Sequence, residues 1–195
     1  SSLEEKVAAL EGGEACVSTA SGIGAIASTM WTILKAGDHV VAGDTLYGCT
    51  RAFMGKGLSK FGIQVDFVDC TNLELVKQSI KENTKVVYLE TPANPNMKIT
   101  DIEEVAKLTH TKEGRLLIVD NTFCTPYAQQ PLKLGADVVI HSATKYLNGH
   151  GDVVAGFVVG KKHFISEVRL EGIKDFTGSV LSPHDAFLII RGMKT

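Results

Sequence analysis

Val138-Val139-Ile140-His141-Ser142-Ala143-Thr144-Lys145-Tyr146-Leu147-Asn148-Gly149-His150 sets a lysine just beyond an apolar, β-branched run. A run of that kind predicts a buried strand, and a lysine at its end with two hydroxyl side chains close before it is an unusual neighbour. Desolvation there would disfavour the ammonium form and free the amine as a nucleophile, the state required of a Schiff-base lysine. Ser142 and Thr144 would offer hydroxyl donors to an anion bound beside it. The plain alternative makes Lys145 the first residue of a solvated helix capped by Thr144.

Working outward, strands and helices alternate. Strands are expected at Ala15–Ser18, His39–Ala42, Ile63–Val68, Lys85–Glu90, Arg115–Asn121, Val138–Ile140 and Val153–Val159. Between them lie helical patterns: an opening helix with Leu3, Val7 and Leu10 on one face, then stretches to about Leu34, to about Phe61, Leu73–Ile80, Ile102–Leu108, Pro131–Leu134, Phe164–Leu170 and Pro183–Ile190. Gly172 to Gly178 reads as a loop, and Pro92 and Pro95 should hold the backbone around Asn94 extended. Such alternation implies an α/β fold, a mostly parallel sheet with helices on both faces. One domain over residues 1–195 is the economical reading.

Composition narrows the function classes. A net charge of −2 offers no electrostatic case for nucleic acid or an anionic membrane. No apolar run reaches the length of a membrane span, and no signal-peptide pattern opens the chain. Cys16, Cys49, Cys70 and Cys124 are scattered without a CxxC pair, so neither a metal centre nor a disulfide framework is expected, and reduced thiols in the cytoplasm are the default. The chain starts without methionine at the beginning of a helix and stops straight after another, so it reads as a fragment.

The residues that carry chemistry follow strands. Ser21-Gly22-Ile23-Gly24 opens a helix, where free amides and the positive helix end favour an anion, although such a turn is often merely tight. Tyr47 lies in a loop, where it would stack on a flat cofactor or simply pack. Asp120 ends a strand, where a carboxylate meets a ligand or caps a turn. Glu90, Asn94, Ser142, Thr144 and Lys145 follow strands as well. Together an anion cradle, an aromatic lid, a carboxylate and an amine describe a pocket for pyridoxal 5'-phosphate (PLP), whose aldehyde needs a lysine and whose ring nitrogen needs a partner. A dinucleotide site would need Gly-x-Gly-x-x-Gly, whereas Gly22-Ile23-Gly24 is followed by Ala25-Ile26-Ala27, so that reading fails on spacing.

Leu46-Tyr47-Gly48-Cys49-Thr50, Glu90-Thr91-Pro92-Ala93-Asn94-Pro95, Val119-Asp120-Asn121-Thr122-Phe123, Ser142-Ala143-Thr144-Lys145-Tyr146 and Asn148-Gly149-His150-Gly151-Asp152-Val153-Val154, in that order, resemble the trans-sulfuration, or Cys/Met-metabolism, family of PLP enzymes. The resemblance implies the large PLP-binding domain of the aspartate-aminotransferase type (fold type I). It implies Lys145 as the Schiff-base lysine, Asp120 at the pyridine nitrogen and Tyr47 stacked on the ring. Ser21, Gly22, Ile23, Ser142 and Thr144 match phosphate-binding positions, with isoleucine at 23 where the family more often has methionine, and Asn94 matches a residue near the ring hydroxyl.

Within the family, Cys49 and the pair Lys174-Asp175 resemble the branch that eliminates methanethiol from L-methionine, with Tyr47, Cys49, Lys174 and Asp175 expected in the substrate pocket. Members that cleave or build cystathionine, or add sulfide to O-acetylhomoserine, are the alternative. The bland readings are a small apolar filler at Cys49 and a solvated ion pair at 174–175. The resemblance further implies a homodimer or homotetramer with active sites between subunits. It also implies a preceding Tyr-x-Arg segment and a following domain, without which little turnover is expected.

Overall fold

The computed structural model describes residues 1–195. Its strands are β1 (Ala15–Thr19), β2 (His39–Gly43), β3 (Gln64–Val68), β4 (Thr84–Glu90), β5 (Leu116–Asp120), β6 (Val138–Ser142) and β7 (Gly156–Gly160). They form one sheet in the order β1-β7-β6-β5-β4-β2-β3. Pairing is parallel from β6 through β5, β4 and β2 to β3, while β7 runs antiparallel to both β1 and β6. The expected mostly parallel α/β architecture is therefore observed.

Side-chain alternation explains why the central strands are apolar throughout. Val40, Ala42, Val86, Tyr88, Ile118, Val138 and Ile140 enter one core. Their neighbours Val41, Val87, Leu89, Leu117 and Val119 enter a second on the opposite face, and Val139, Phe157 and Val159 a third. A strand buried on both faces cannot alternate with polar residues. Each such side chain contributes roughly 1.5–3 kcal/mol by leaving water.

The helices are α1 (Ser2–Glu11), α2 (Gly22–Ile33), α3 (Gly48–Ala52), α4 (Leu73–Ser79), α5 (Ile102–Thr109), α6 (Thr125–Ala128), α7 (Lys162–Glu167) and α8 (Pro183–Gly192). α2 packs in the first core with Met54 and Leu58, which follow α3; α1 and α8 supply the third, and α4 and α5 supply the second. After α3 the winding changes to π over Phe53–Gly57 and to 3-10 over Leu58–Phe61, ending where the sequence reading placed it. Pro131–Leu134 is a 3-10 turn.

Four local expectations are corrected. Residues 172–177 are helical, since α7 continues as a π-helix over Val168–Thr177. Gly172 makes this possible, because a Cβ there would lie 2.3 Å from the Ser28 carbonyl oxygen of α2. The seventh strand starts at Gly156 and not Val153, as the Ala155 amide donates to Thr144 Oγ1 instead of to a ladder. Leu10 is 47% exposed, whereas Glu11 turns inward beside Asn121 and His141. The segment after β4 is folded back and not extended: Thr91-Pro92 and Asn94-Pro95 are cis, and the Met97 amide returns to the Ala93 carbonyl at 2.8 Å.

Candidate active site

The chain passes from β2 outward to β3 and then crosses back to β4, so its connections diverge between β2 and β4. Clefts open at the carboxyl ends of strands at such a point. Here a cavity of about 340 Å³ is lined by residues that follow β1, β2, β4, β5 and β6. Gly22, Ile23, Tyr47, Cys49, Asn94, Asp120, Ser142, Thr144 and Lys145 all reach it. Ser21 does not line it; its hydroxyl caps α2, accepting from the Gly24 amide at 3.0 Å.

Lys174 and Asp175 lie elsewhere. Both are exposed on the π-helix, where they pair with each other at 2.8 Å. Lys145 is also exposed, so the chain itself does not provide the desolvation expected from the preceding strand. Nor does Lys145 begin a helix: residues 143–148 form turns, and Thr144 Oγ1 bridges the amide and carbonyl of Ala155 at 3.1 and 3.3 Å.

The floor of the cleft is acidic. Asp120 ends β5 directly beside Glu90 at the end of β4, the two being partners in the parallel register. Thr122 donates to Asp120 Oδ1 from both its amide and its hydroxyl, and Tyr88 donates to Oδ2 at 3.3 Å. Even so, burial raises the Asp120 pKa above the ordinary carboxylate value, and the Thr122 and Tyr88 bonds only partly offset it. Glu90 is pushed up to about 7, by burial first and then by the charge of Asp120, against the two amides that donate to it. Two neighbouring carboxylates of this kind are best completed by a cationic group.

The opposite wall suits an anion. The first-turn amides of Gly22 and Ile23 have no acceptor within α2, and both residues line the cavity beside Ser142 and Thr144. On the rim, Tyr47 is 49% exposed with Cys49 near it, and hydrogen bonding to Cys49 raises the Tyr47 pKa above the usual phenol value. No group of three or more His, Cys, Asp or Glu side chains is placed to hold a metal ion.

Three contributors escaped the sequence reading. Thr122 ties β5 to β6 by also accepting from the Ser142 amide at 2.8 Å, and its position two residues after an aspartate is the signal of an Asx turn. Phe123 and Val154 line the cavity; both stand in segments that carry the family resemblance, which gave neither a role.

The profile of the family described as Cys/Met metabolism PLP-dependent enzyme matches residues 1–195. The chain belongs to that family. Among its relatives, the chain is 64% identical to the L-methionine gamma-lyase of Fusobacterium nucleatum subsp. polymorphum over 99% of this chain and 49% of that protein. It is 50% identical to the cystathionine gamma-lyase of Bacillus subtilis (strain 168), over 99% of this chain and 50% of that protein. The crystal structure of metB from Corynebacterium glutamicum superposes with a TM-score of 0.95 at 45% identity, covering 99% of this chain and 50% of that one. The chain thus spans about half the length of the curated relatives it matches.

As a Cys/Met-metabolism enzyme it should take PLP, and its donor set fits. A phosphate would meet free helix amides and hydroxyls, a protonated ring nitrogen would have Asp120 as a partner, and an aldehyde would have the Lys145 amine. No helix is long and apolar enough to cross a membrane.

Proposed function

We propose that residues 1–195 are the cofactor-binding large domain of a PLP-dependent enzyme that converts L-methionine and water to methanethiol, 2-oxobutyrate and ammonia. The observation that carries this reading is the 64% identity to an L-methionine gamma-lyase, against 50% to a cystathionine gamma-lyase over the same residues. The cleft supports it, since Tyr47 and Cys49 stand together on its rim.

In this reading Lys145 would hold the cofactor covalently, Asp120 would partner its ring nitrogen and Tyr47 would cover its face. Gly22, Ile23, Ser142 and Thr144 would take the phosphate, with Ser21 holding their turn in place, and Asn94 would serve the ring hydroxyl. When bound, PLP supplies the electron sink for carbanions at the substrate's alpha and beta carbons. With the cofactor bound, Lys145 Nζ would serve as the base for the substrate's alpha proton. Tyr47 Oη donates a proton to the departing sulfur, and the raised pKa of that phenol keeps the proton available at neutral pH. Cys49 shapes the thioether pocket and tunes Tyr47.

Lys174 and Asp175, remote from the cleft of their own chain, would reach a substrate pocket only in an assembly. A homodimer or homotetramer with sites between subunits accommodates this, and also the exposure of Tyr47, Lys145 and Val154 at the rim. We place the enzyme in the cytoplasm, in keeping with its unpaired cysteines.

The test is product release by the full-length parent protein, with L-methionine, cystathionine and O-acetylhomoserine plus sulfide in parallel. Methanethiol and 2-oxobutyrate formed fastest from methionine is the expected result. Turnover confined to cystathionine or the acetyl ester would remove the substrate assignment while leaving the cofactor site intact.

A further inference from the structure

Glu90 has a place in the site that the catalytic roles above do not use. Its side chain lies in the cavity wall, at the end of β4 and beside Asp120. Each of its carboxylate oxygens accepts one backbone amide: Oε2 from Tyr47 at 2.8 Å and Oε1 from Asn94 at 3.0 Å. Those amides belong to two different loops, one after β2 and one after β4. Tyr47 stands immediately before α3, without a side-chain cap on that helix, and Asn94 lies between two prolines in a folded-back segment. Neither loop has a strand or a long helix of its own to fix it.

We infer that Glu90 is a positioning residue: its carboxylate clamps the Tyr47 and Asn94 backbones at a fixed separation across the β2–β4 divergence, so that the ring-covering and ring-edge side chains are set before any cofactor arrives. A bidentate acceptor is needed for this. An amide in its place has one acceptor oxygen, and its nitrogen would face a second N–H donor. A shorter carboxylate retains two acceptors but loses reach. Charge-assisted bonds of this type are the stronger class, which suits a bridge between loop ends. Burying a carboxylate beside Asp120 is unfavourable, so the position is a costly one for an acid without such a task.

The inference rests on the reading of this cleft as the PLP site, and its test separates the two. The full-length parent protein is compared with E90Q and E90A, first without cofactor, by hydrogen exchange resolved to single amides. Exchange at Tyr47 and Asn94 should accelerate at least 10-fold together in E90A, whereas E90Q should expose one of the pair and spare the other, with amides of β4 and β5 accelerated in neither. PLP is then added, and visible circular dichroism per bound cofactor is recorded with borohydride fixation on Lys145 as the check of the site itself. E90A should retain fixation on Lys145 but lose more than half of the dichroism, with E90Q between it and the parent. Unchanged exchange at both amides overturns the clamp, whatever the cofactor does. Equal acceleration across the whole sheet overturns it too, since that marks a general loss of stability. Absence of fixation in the parent overturns the PLP reading and leaves the exchange result to decide the clamp.

Discussion

Gly22 and Ser142 approach so closely that a Cβ on Gly22 would lie 2.7 Å from the Ser142 Cβ and 3.1 Å from its Cα. One residue opens α2 and the other closes β6, so the proposed phosphate cradle is the seam between them. Neither partner is a flexible side-chain end, and something in the backbone must shift to admit a methyl group. Gly22→Ala should therefore displace the cradle. Overpacking of this kind costs about 1–3 kcal/mol, and PLP affinity should fall at least 10-fold. Equilibrium dialysis with PLP and a denaturant melt check both; a Gly22→Ala protein with parental affinity would show that the anion does not sit at this seam.

Asp120→Asn should separate folding from binding. The asparagine oxygen still accepts from Thr122, and the buried charge, which the protein supports only partly, is gone. The melting temperature of the cofactor-free variant should stay level or rise, while PLP binding weakens more than 10-fold because the ring nitrogen loses its carboxylate. A variant that binds PLP normally, with an unchanged absorption band, would remove Asp120 from the role proposed for it.

Glu90 gives the cofactor-free protein a definite pH dependence. Its folded pKa of about 7 exceeds the ordinary 4.5, so the folded state holds the proton more firmly. Below about 4.5 both states are protonated and the group is neutral in effect. As pH rises from 4.5 to about 7 the unfolded carboxyl ionises first, and stability declines by up to ~3 kcal/mol before levelling off. The charged and titratable groups around it are Asp120 and Tyr88 in the sheet, Tyr47, Cys49 and Lys145 across the cleft, and Asp44 and Lys98 on its outer side. Urea melts at pH 5 and pH 8 should show the decline in the parent and a flatter profile in Glu90→Gln; parallel profiles would assign the slope to another group.

Lys98 joins the segment after β4 to Asp44 at 3.2 Å and Asp69 at 2.9 Å. Its ammonium, helped by Thr71, lowers the Asp69 pKa to about 2. Because all three groups are partly exposed, Lys98→Met should leave global stability almost unchanged. The local readouts are the informative ones. Carbon-13 titration should find the Asp69 pKa raised toward the usual carboxylate value, and limited proteolysis within 91–100 should speed up. An unmoved Asp69 titration would show that Thr71 alone holds it down.

Much of this was legible because the signals were local. Val138-Val139-Ile140 and Leu117-Ile118-Val119 are strands buried on both faces, and such runs mark themselves. The cavity residues were found because each followed a strand, and parallel strands bring those positions to one edge. What failed depended on contacts between distant segments. Gly172 looks like a loop former until α2 is seen against it, and Glu11 looks like a solvent-facing helix end until Asn121 and His141 meet it. Lys174 and Asp175 sit close in sequence to nothing in the cleft, and the fold does not carry them there within one chain. The clamp at Glu90 was invisible because its partners are backbone amides, which have no signature in the side-chain alphabet.

The reversal of β7 has a consequence for how the lysine loop tolerates change. Ser142 pairs with Gly156, so the excursion that carries Lys145 leaves and re-enters the sheet on the same rung, and the Thr144 hydroxyl stitches its two arms together at Ala155. Its far tip, around the exposed Gly149 and Gly151, is remote from that stitch. The Gly149 amide donates to the Lys145 carbonyl at 2.8 Å, so residues inserted beyond Gly149 would be absorbed as slack, leaving the amine where it is. A single deletion between Ala143 and Ala155 on the sheet side of the tip would instead pull one arm out of phase with the other. The molecule therefore behaves there like a drawer on two rails, free to lengthen at its front and unforgiving of any change in the runners.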